Sequence, residues 1–228
     1  MNQAYEIIDV CHTIHDGMIT YKGLPPPVIS DHLTRERSRE IYSPGTEFHI
    51  GKIEMVANTG TYLDSPFHRY PEGTDLARLS LYSLANLEGV VIRKDVDAPR
   101  AITASAISSY DLKGKAVLFQ TGWDAHWRTE AYSDGTHPYV SADAAELLVA
   151  QGAALVGIDS YNIDDTASGE RPAHSLLLAN DIPIVEHLCG LGELPDSGFR
   201  FFAVPVKVKN FGTFPVRAFG IVPKTAAS

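Results

Sequence analysis

Apolar and polar residues along this chain form short alternating or clustered runs, which predict many short strands and few helices. The opening segment, residues 5–10, is predicted to be a strand followed by a polar turn. Residues 47–57 alternate apolar and polar side chains, which predicts a half-buried strand. The charged segment 31–45 ends in Pro-Gly and is predicted to be an exposed loop or flap, and the segment after residue 199 is predicted to be rich in strands.

The clearest supersecondary unit lies between residues 116 and 158. Largely apolar runs at 116–120 and 154–158 predict two buried strands. Between them, Ser141 is a good N-cap and Gly152 a good helix stop, with an apolar stripe of Ala145, Leu148 and Val149. A helix joining two apolar strands predicts a parallel β-α-β crossover, and therefore an α/β fold.

Composition limits the class of protein. The 228 residues are 44% hydrophobic and no linker-like tract interrupts them, so a single domain over 1–228 is expected. The 28 acidic and 19 basic residues give a net charge of −9 with no basic cluster, which argues against nucleic acid or an anionic membrane as partner. Because the first residues lack a signal-peptide pattern and no apolar run is long enough to span a bilayer, a cytoplasmic protein without membrane contact is expected.

Several reaction classes lack their motifs. The chain contains neither a Gly-x-Ser-x-Gly nucleophile elbow nor a glycine-rich phosphate-binding loop. A serine hydrolase and a nucleotide-dependent enzyme are therefore disfavoured, and no nucleotide or organic cofactor is expected.

Residues 58–68, NTGTYLDSPFH, carry the most chemical information. Gly60 permits a tight turn, Pro66 stiffens the chain, and Asp64 and His68 place a carboxylate and an imidazole on one rigid segment. Such a pair suits metal binding or general acid–base catalysis. The alternative is structural: Asp64 caps a turn and His68 bonds to a backbone carbonyl.

Two further groups are candidates for the same site. His174 lies near the start of a predicted helix and Glu186 follows a predicted strand at 182–185, so both can meet at one rim of a sheet. The alternative is a buried histidine and a surface acid. Aromatic residues that could wall a pocket for a flat ring are Trp123, Phe67 and Tyr42, although aromatic side chains more often serve packing.

These segments together resemble the cyclase family, which includes bacterial kynurenine formamidases and isatin hydrolases. The family signature is His-x-Gly-Thr-His-x-Asp-x-Pro-x-His, which NTGTYLDSPFH matches in length and at Gly60, Thr61, Asp64, Pro66 and His68. Other similar segments are IIDVCHTIHDGM, TGW, LVGIDSYNID and PAHSLLLANDIPIVEHL. The resemblance implies a swivelling β/β/α domain with a mixed central sheet, a second β layer and helices on one face, assembled as a homodimer or homotetramer.

The resemblance also implies roles for individual residues. Asp64, His174 and Glu186 match metal ligands, and His68 matches the acid–base catalyst. The two remaining ligand positions hold Asn58 and Tyr62 instead of histidine. An amide oxygen is a weak ligand, and a tyrosine hydroxyl with a pKa of about 10 must lose its proton to ligate well. At most one divalent cation, manganese or zinc, is therefore expected, with Tyr62 and Asn58 polarising a substrate carbonyl.

The expected activity is that of an arylformamidase-like hydrolase. It would cleave a C–N or C–O bond of a small cyclic amide, lactone or N-acyl aromatic substrate, with water activated by the cation or by His68. One alternative is a metal-free cyclase, lyase or tautomerase in which Asp64 orients His68 as the base. Another is a non-catalytic ligand-binding protein, which the retention of two acids and two imidazoles disfavours.

Overall fold

A mixed sheet of nine strands forms the centre of the protein, in a computed structural model that describes residues 4–95 and 97–224. The strands are β1 (Tyr5–Asp9), β2 (Val28–Leu33), β3 (Ile50–Glu54), β4 (Tyr62–Asp64), β5 (Leu87–Arg93), β6 (Ala101–Ile102), β7 (Ala116–Gln120), β8 (Tyr139–Val140), β9 (Leu155–Ile158), β10 (Ile184–Glu186), β11 (Phe199–Phe202), β12 (Thr213–Pro215) and β13 (Phe219–Pro223). The helices are α1 (Arg35–Ser38), α2 (Ala104–Ile107), α3 (Ala142–Gln151) and α4 (Pro172–Ala179). The order in the large sheet is β1-β13-β11-β5-β7-β9-β10-β4-β12.

The middle of the sheet is parallel. β5, β7, β9 and β10 run in the same direction, and the flanking strands are antiparallel to their neighbours. α3 connects β7 to β9, so the predicted β-α-β crossover is confirmed. Its helix begins after Ser141 and ends at Gly152, whose left-handed backbone (φ 74°) needs a glycine.

The sheet separates two hydrophobic cores. On β7, Val117 and Phe119 face the core that also contains the helices, whereas Ala116 and Leu118 face the opposite core. This alternation follows from the two-residue period of a strand. Because both faces of the central strands are covered, most side chains of β7 and β9 are apolar.

Strands β2 and β3 form a separate two-stranded ribbon. Every residue of β3 is exposed, so the prediction of a half-buried strand over residues 47–57 was wrong in its burial. The physical reason is that β3 pairs only with β2 and has no further layer against it. The predicted exposed segment 31–45 holds the end of β2 and the short helix α1.

The fold class is confirmed: the protein is a mixed α/β fold with a large curled sheet and few helices. Outside the nine-stranded sheet, the strands of the described residues form two small ribbons, β2-β3 and β6-β8. In the part of the chain that the structure covers, no helix combines the length and the apolar character that a bilayer crossing requires.

Gly157 of β9 packs closely beside the neighbouring strand β10, which carries Glu186. A Cβ at Gly157 would lie 2.7 Å from Leu188 Cδ1 and 2.8 Å from Leu118 Cδ2. We expect Gly157→Ala to lower the free energy of unfolding by about 1–3 kcal/mol, because the packed core cannot absorb the extra methyl group without shifting. Denaturant unfolding measures this loss.

The matched control is Gly169→Ala, since a Cβ at Gly169 meets no atom within 4 Å. It should change the unfolding free energy by no more than about 0.5 kcal/mol. Equal effects of the two substitutions would contradict the close packing at Gly157.

Candidate functional site

The three-residue strand β4 places the signature residues. Tyr62 lies directly opposite Glu186 of β10, and Asp64 lies directly opposite Thr213 of β12. Successive side chains of a strand point to opposite faces, so Tyr62 and Asp64 share one face while Leu63 enters the core behind the sheet. The site is therefore built from cross-strand pairs.

The hydroxyl of Tyr62 donates to Glu186 Oε2 at 2.7 Å, and both side chains are buried. Burial, together with the nearby carboxylates of Glu186 and Asp64, raises the pKa of Tyr62 well above its usual value. The phenol thus keeps its proton, which forms a hydrogen bond to the carboxylate of Glu186. His187 Nε2 lies 3.3 Å from the same hydroxyl oxygen.

Glu186 is held on both oxygens. Its Oε1 accepts from the backbone N–H of Ile163 at 2.7 Å, while Oε2 accepts from Tyr62. Burial raises the pKa of Glu186, and the charge of His174 together with these two donors offsets part of that rise. Its remaining lone pairs face His174 Nε2, which is 3.7 Å from Oε1.

Asp164 orients His174. The Nδ1–H of His174 donates to Asp164 Oδ2 at 2.6 Å, and the backbone N–H groups of Ala173 and His174 donate to the same carboxylate. Nε2 is left facing Asp64 Oδ2 at 3.7 Å. Burial alone would lower the pKa of His174, but the carboxylates of Glu186, Asp164 and Asp64 outweigh it and raise the pKa to about 10.

Thr213 connects His68 to Asp64. Because a carboxylate only accepts, the Thr213 hydroxyl donates to Asp64 Oδ1 and must accept from His68 Nδ1–H, 2.9 Å away. His68 Nε2 then carries the free lone pair. The direct distance from His68 Nδ1 to Asp64 Oδ1 is 3.7 Å, so Asp64 orients His68 through the threonine.

The donor set fits a single cation. Asp64 Oδ2 is buried and has no hydrogen-bond partner among the described residues. Potential ligand atoms of Asp64, His68 and His174 lie within 4.8 Å of one another. Burial alone would raise the pKa of Asp64, but His68, His174 and Thr213 lower it, so the carboxylate is charged. A charged, unpartnered carboxylate oxygen beside a free imidazole nitrogen is suited to one divalent ion.

A cavity of about 290 Å³ opens over these groups. Its lining includes the predicted residues Asn58, Tyr62, His68, His174 and Glu186. The lining residues that were not predicted are Tyr21, Leu24, Arg69, Asn162 and Arg171. Five of the six predicted catalytic and metal-binding side chains therefore line one cavity, and the sixth, Asp64, lies directly behind it.

The three predicted aromatic walls lie elsewhere. Trp123 donates its indole N–H to Tyr132 O, Phe67 lines a different cavity, and Tyr42 packs against Phe48 in an exposed segment. In their place, Tyr21 stacks on Tyr161 at 4.6 Å between ring centroids and forms part of the lining.

Sequence reasoning missed the residues that position the site. Asp164 follows a buried strand in NIDD, a place where strand-end acids often meet a site, so a signal for it existed. No local sequence signal pointed to Thr213, because its partners His68 and Asp64 are 145 and 149 residues away along the chain. His187 also went unremarked, although it stands directly after Glu186 with a left-handed backbone (φ 55°).

Comparison with known proteins identifies the family. The family model described as "Putative cyclase" matches residues 8–165, which is well over half of the chain. The chain belongs to this family, as its signature segment predicted.

Individual relatives match this chain over nearly its full length. A kynurenine formamidase from Bacillus cytotoxicus is 26% identical over 217 residues, covering 95% of this chain and 97% of the relative. An isatin hydrolase solved with the product analogue thioisatinate has a TM-score of 0.78 at 23% identity, covering 97% and 94% of the two chains. A potential metal-dependent hydrolase with cyclase activity has a TM-score of 0.78 at 24% identity, covering 97% and 100%. The expectation of a hydrolase is confirmed by these relatives.

The bond between Tyr62 and Glu186 is testable through stability. Tyr62→Phe leaves Glu186 Oε2 buried without its hydroxyl donor, so we expect the free energy of unfolding to fall by about 1–3 kcal/mol. Denaturant unfolding near pH 7 provides the measurement. The control is Tyr82→Phe, because the Tyr82 side chain is exposed, and no change is expected there. A Tyr62→Phe protein as stable as the control variant would argue against the bond.

Proposed function

We propose that this cyclase-family hydrolase cleaves the C–N bond of a small aromatic formamide or amide, with His68 as the base that activates water. The observation that carries the proposal is the relay from His68 through Thr213 to Asp64, which leaves a lone pair on Nε2 of an imidazole lining the cavity. The relatives named kynurenine formamidase and isatin hydrolase support an aromatic amide as the substrate class.

In this proposal His68 Nε2 takes a proton from water as the oxygen attacks the carbonyl, and returns it to the departing nitrogen. Thr213 and Asp64 hold the ring and stabilise the imidazolium that forms. The side-chain amide of Asn58, half-buried at the cavity wall, donates a hydrogen bond to the carbonyl oxygen as it gains charge.

Tyr62 has a different role in this proposal from the predicted one, which was to polarise the substrate carbonyl. Its single hydroxyl proton forms the hydrogen bond to Glu186, so in this proposal Tyr62 positions that carboxylate instead of reaching the substrate. We assign the donation to the carbonyl to Asn58, whose side chain lines the cavity.

Asp64, His174 and Glu186 are the residues that would hold one manganese or zinc ion, which supplies Lewis-acid chemistry when bound. Holding a cation would require His174 Nε2 to be free of its proton, because this nitrogen faces both carboxylates.

A second candidate is metal-free cyclisation or elimination on the same groups. It is favoured by the raised pKa of His174, because the resulting imidazolium supplies a positive charge between Asp64 and Glu186. In that case His68 would remove a proton from carbon or nitrogen of the substrate.

A substrate panel separates the two candidates. Purified enzyme is assayed with formanilides, cyclic anilides and aryl lactones in ¹⁸O-labelled water, with added manganese or zinc and with chelator. Hydrolysis places ¹⁸O in the formate or carboxylate product. Turnover without label would overturn the hydrolase in favour of elimination or cyclisation, and loss on chelation with rescue by one ion would show the cation requirement.

His68 should be indispensable to turnover. We expect His68→Asn to lower kcat by about 10²–10⁴-fold, because general-base catalysis contributes about that factor. Circular dichroism checks that the variant is folded. The matched control, His32→Asn, changes an exposed histidine on the β2-β3 ribbon and should leave kcat unaltered. Full activity in His68→Asn would remove it from the mechanism.

Thr213 should act as a positioning residue. Thr213→Val keeps the shape but removes the hydroxyl between His68 and Asp64, so kcat should fall about 10-fold or more while KM changes little. Thr213→Ser restores the hydroxyl and should recover most of the activity, and equal damage by both substitutions would indicate a packing role instead.

A further inference from the structure

Two arginines that the mechanism above does not use lie at the candidate site. Arg69 and Arg171 line the catalytic cavity, and both also line the cavity next to it, so they stand where the two spaces meet. Among the ion pairs of residues 4–95 and 97–224, none involves either guanidinium. Two cations without a carboxylate partner at the mouth of a site are unexpected in a protein of net charge −9.

Arg171 is held by its surroundings. One of its terminal nitrogens donates to the backbone carbonyls of Asp165, Ser168 and Glu170, at 3.3, 2.8 and 2.7 Å. These contacts fix the side chain without neutralising its charge, because carbonyl oxygens carry no net charge. Such a guanidinium loses little conformational freedom when it binds an anion.

Arg69 is held more loosely. Its guanidinium lies 5.5 Å from the Tyr70 ring centroid, and its Nε is 3.4 Å from Ser175 Oγ. The other donors of its planar fork have no partner among the described residues, which leaves them available to a carboxylate.

The acids of the neighbourhood do not satisfy these arginines. Asp64 accepts from Thr213 and faces His174, Glu186 accepts from Tyr62 and Ile163, and the Glu170 side chain is exposed at the second cavity. The N-terminal amides of α4 are also taken, since Ala173 and His174 donate to Asp164. An anion entering the cavity therefore has the two guanidinium groups as its free cationic donors.

The arginines flank the reactive groups. Arg69 follows His68 directly in the chain, Arg171 precedes His174 by one helical turn, and the two imidazole rings are 6.0 Å apart between centroids. An anionic group bound by the arginines would thus hold the rest of the substrate over His68.

We propose that Arg69 and Arg171 form a clamp for a carboxylate on the substrate, so that the enzyme prefers carboxyl-bearing aromatic amides to uncharged ones. This proposal rests on the proposed function for its substrate, and the clamp itself can be measured without turnover.

The test compares two substrates with the same scissile bond. N-formylanthranilate carries a carboxylate and formanilide does not. We expect kcat/KM of the wild type to be about 10- to 100-fold higher for the anionic substrate, since charge-assisted bidentate hydrogen bonds contribute about that factor. Arg171→Gln and Arg69→Gln should each remove most of this preference, measured as the ratio of kcat/KM for the two substrates. Arg171→Lys should retain part of it, because the charge stays and the planar fork is lost.

Two controls keep the result interpretable. Arg200→Gln alters an exposed arginine on β11 and should leave the preference intact. Because Arg171 also ties three backbone carbonyls, its variants are checked by thermal unfolding. Arg69→Gln, which breaks only the contacts with Ser175 and the Tyr70 ring, serves as the second test.

Binding is measured separately by calorimetry with anthranilate and with aniline. The clamp is supported if the wild type binds anthranilate at least 10-fold more tightly than aniline and Arg69→Gln loses this difference. That result supports the clamp even if neither formamide is hydrolysed, in which case the proposed function alone fails. Equal binding of the two ligands, no binding of either, or a preference unchanged in both arginine variants would overturn the clamp.

Discussion

The register of β4 between β10 and β12 is the constraint on which the site depends. It pairs Tyr62 with Glu186 and Asp64 with Thr213, while Leu63 enters the core on the opposite face. A shift of one residue would turn both polar side chains away from the cavity and Leu63 into it. Three residues hold few ladder bonds, so the register relies on its surroundings. The hydroxyl of Thr61 donates to His187 O and accepts from the backbone N–H of His12, which ties the start of β4 to two other segments.

Buried charge sets the second requirement. Asp64, Asp164 and Glu186 are almost fully buried within a few ångströms of one imidazole, and carboxylates in such a place need donors or a positive charge. The chain between β9 and β10 supplies backbone N–H donors to Asp164 and Glu186, and His174 supplies the positive charge. The phenol of Tyr62 satisfies Glu186 with a neutral hydrogen bond. A neutral donor lowers the amount of positive charge that the cluster needs.

The parts of this structure that the sequence could predict are those with local causes. Ser141, the apolar turn of α3 and Gly152 lie within twelve residues, and the helix bounds followed from them. The burial of β3 could not be predicted, because the alternation of residues 47–57 says nothing about whether another layer is present. The same holds within the site. Asp64 and His68 can be identified as site candidates from one short segment, whereas the role of Tyr62 depends on Glu186, 124 residues away. Similarly, Thr213 looks like any strand threonine until the sheet order places it beside Asp64.

Family membership therefore constrains the backbone arrangement of the site more strongly than the chemistry of its side chains. The turn at Gly60, the strand that follows it and the approach of β10 position residues 58 and 62 whatever their side chains. Replacing histidine by asparagine and tyrosine at those two places changes which groups are charged, but the cross-strand pairs still hold because Tyr62 bonds to the acid opposite it. Selectivity can then arise outside the signature, from residues such as Arg69 and Arg171 that take no part in the buried cluster. The geometry of the buried cluster and the positions of these arginines have separate causes, since the first is fixed by the sheet and the second by the segments that leave it.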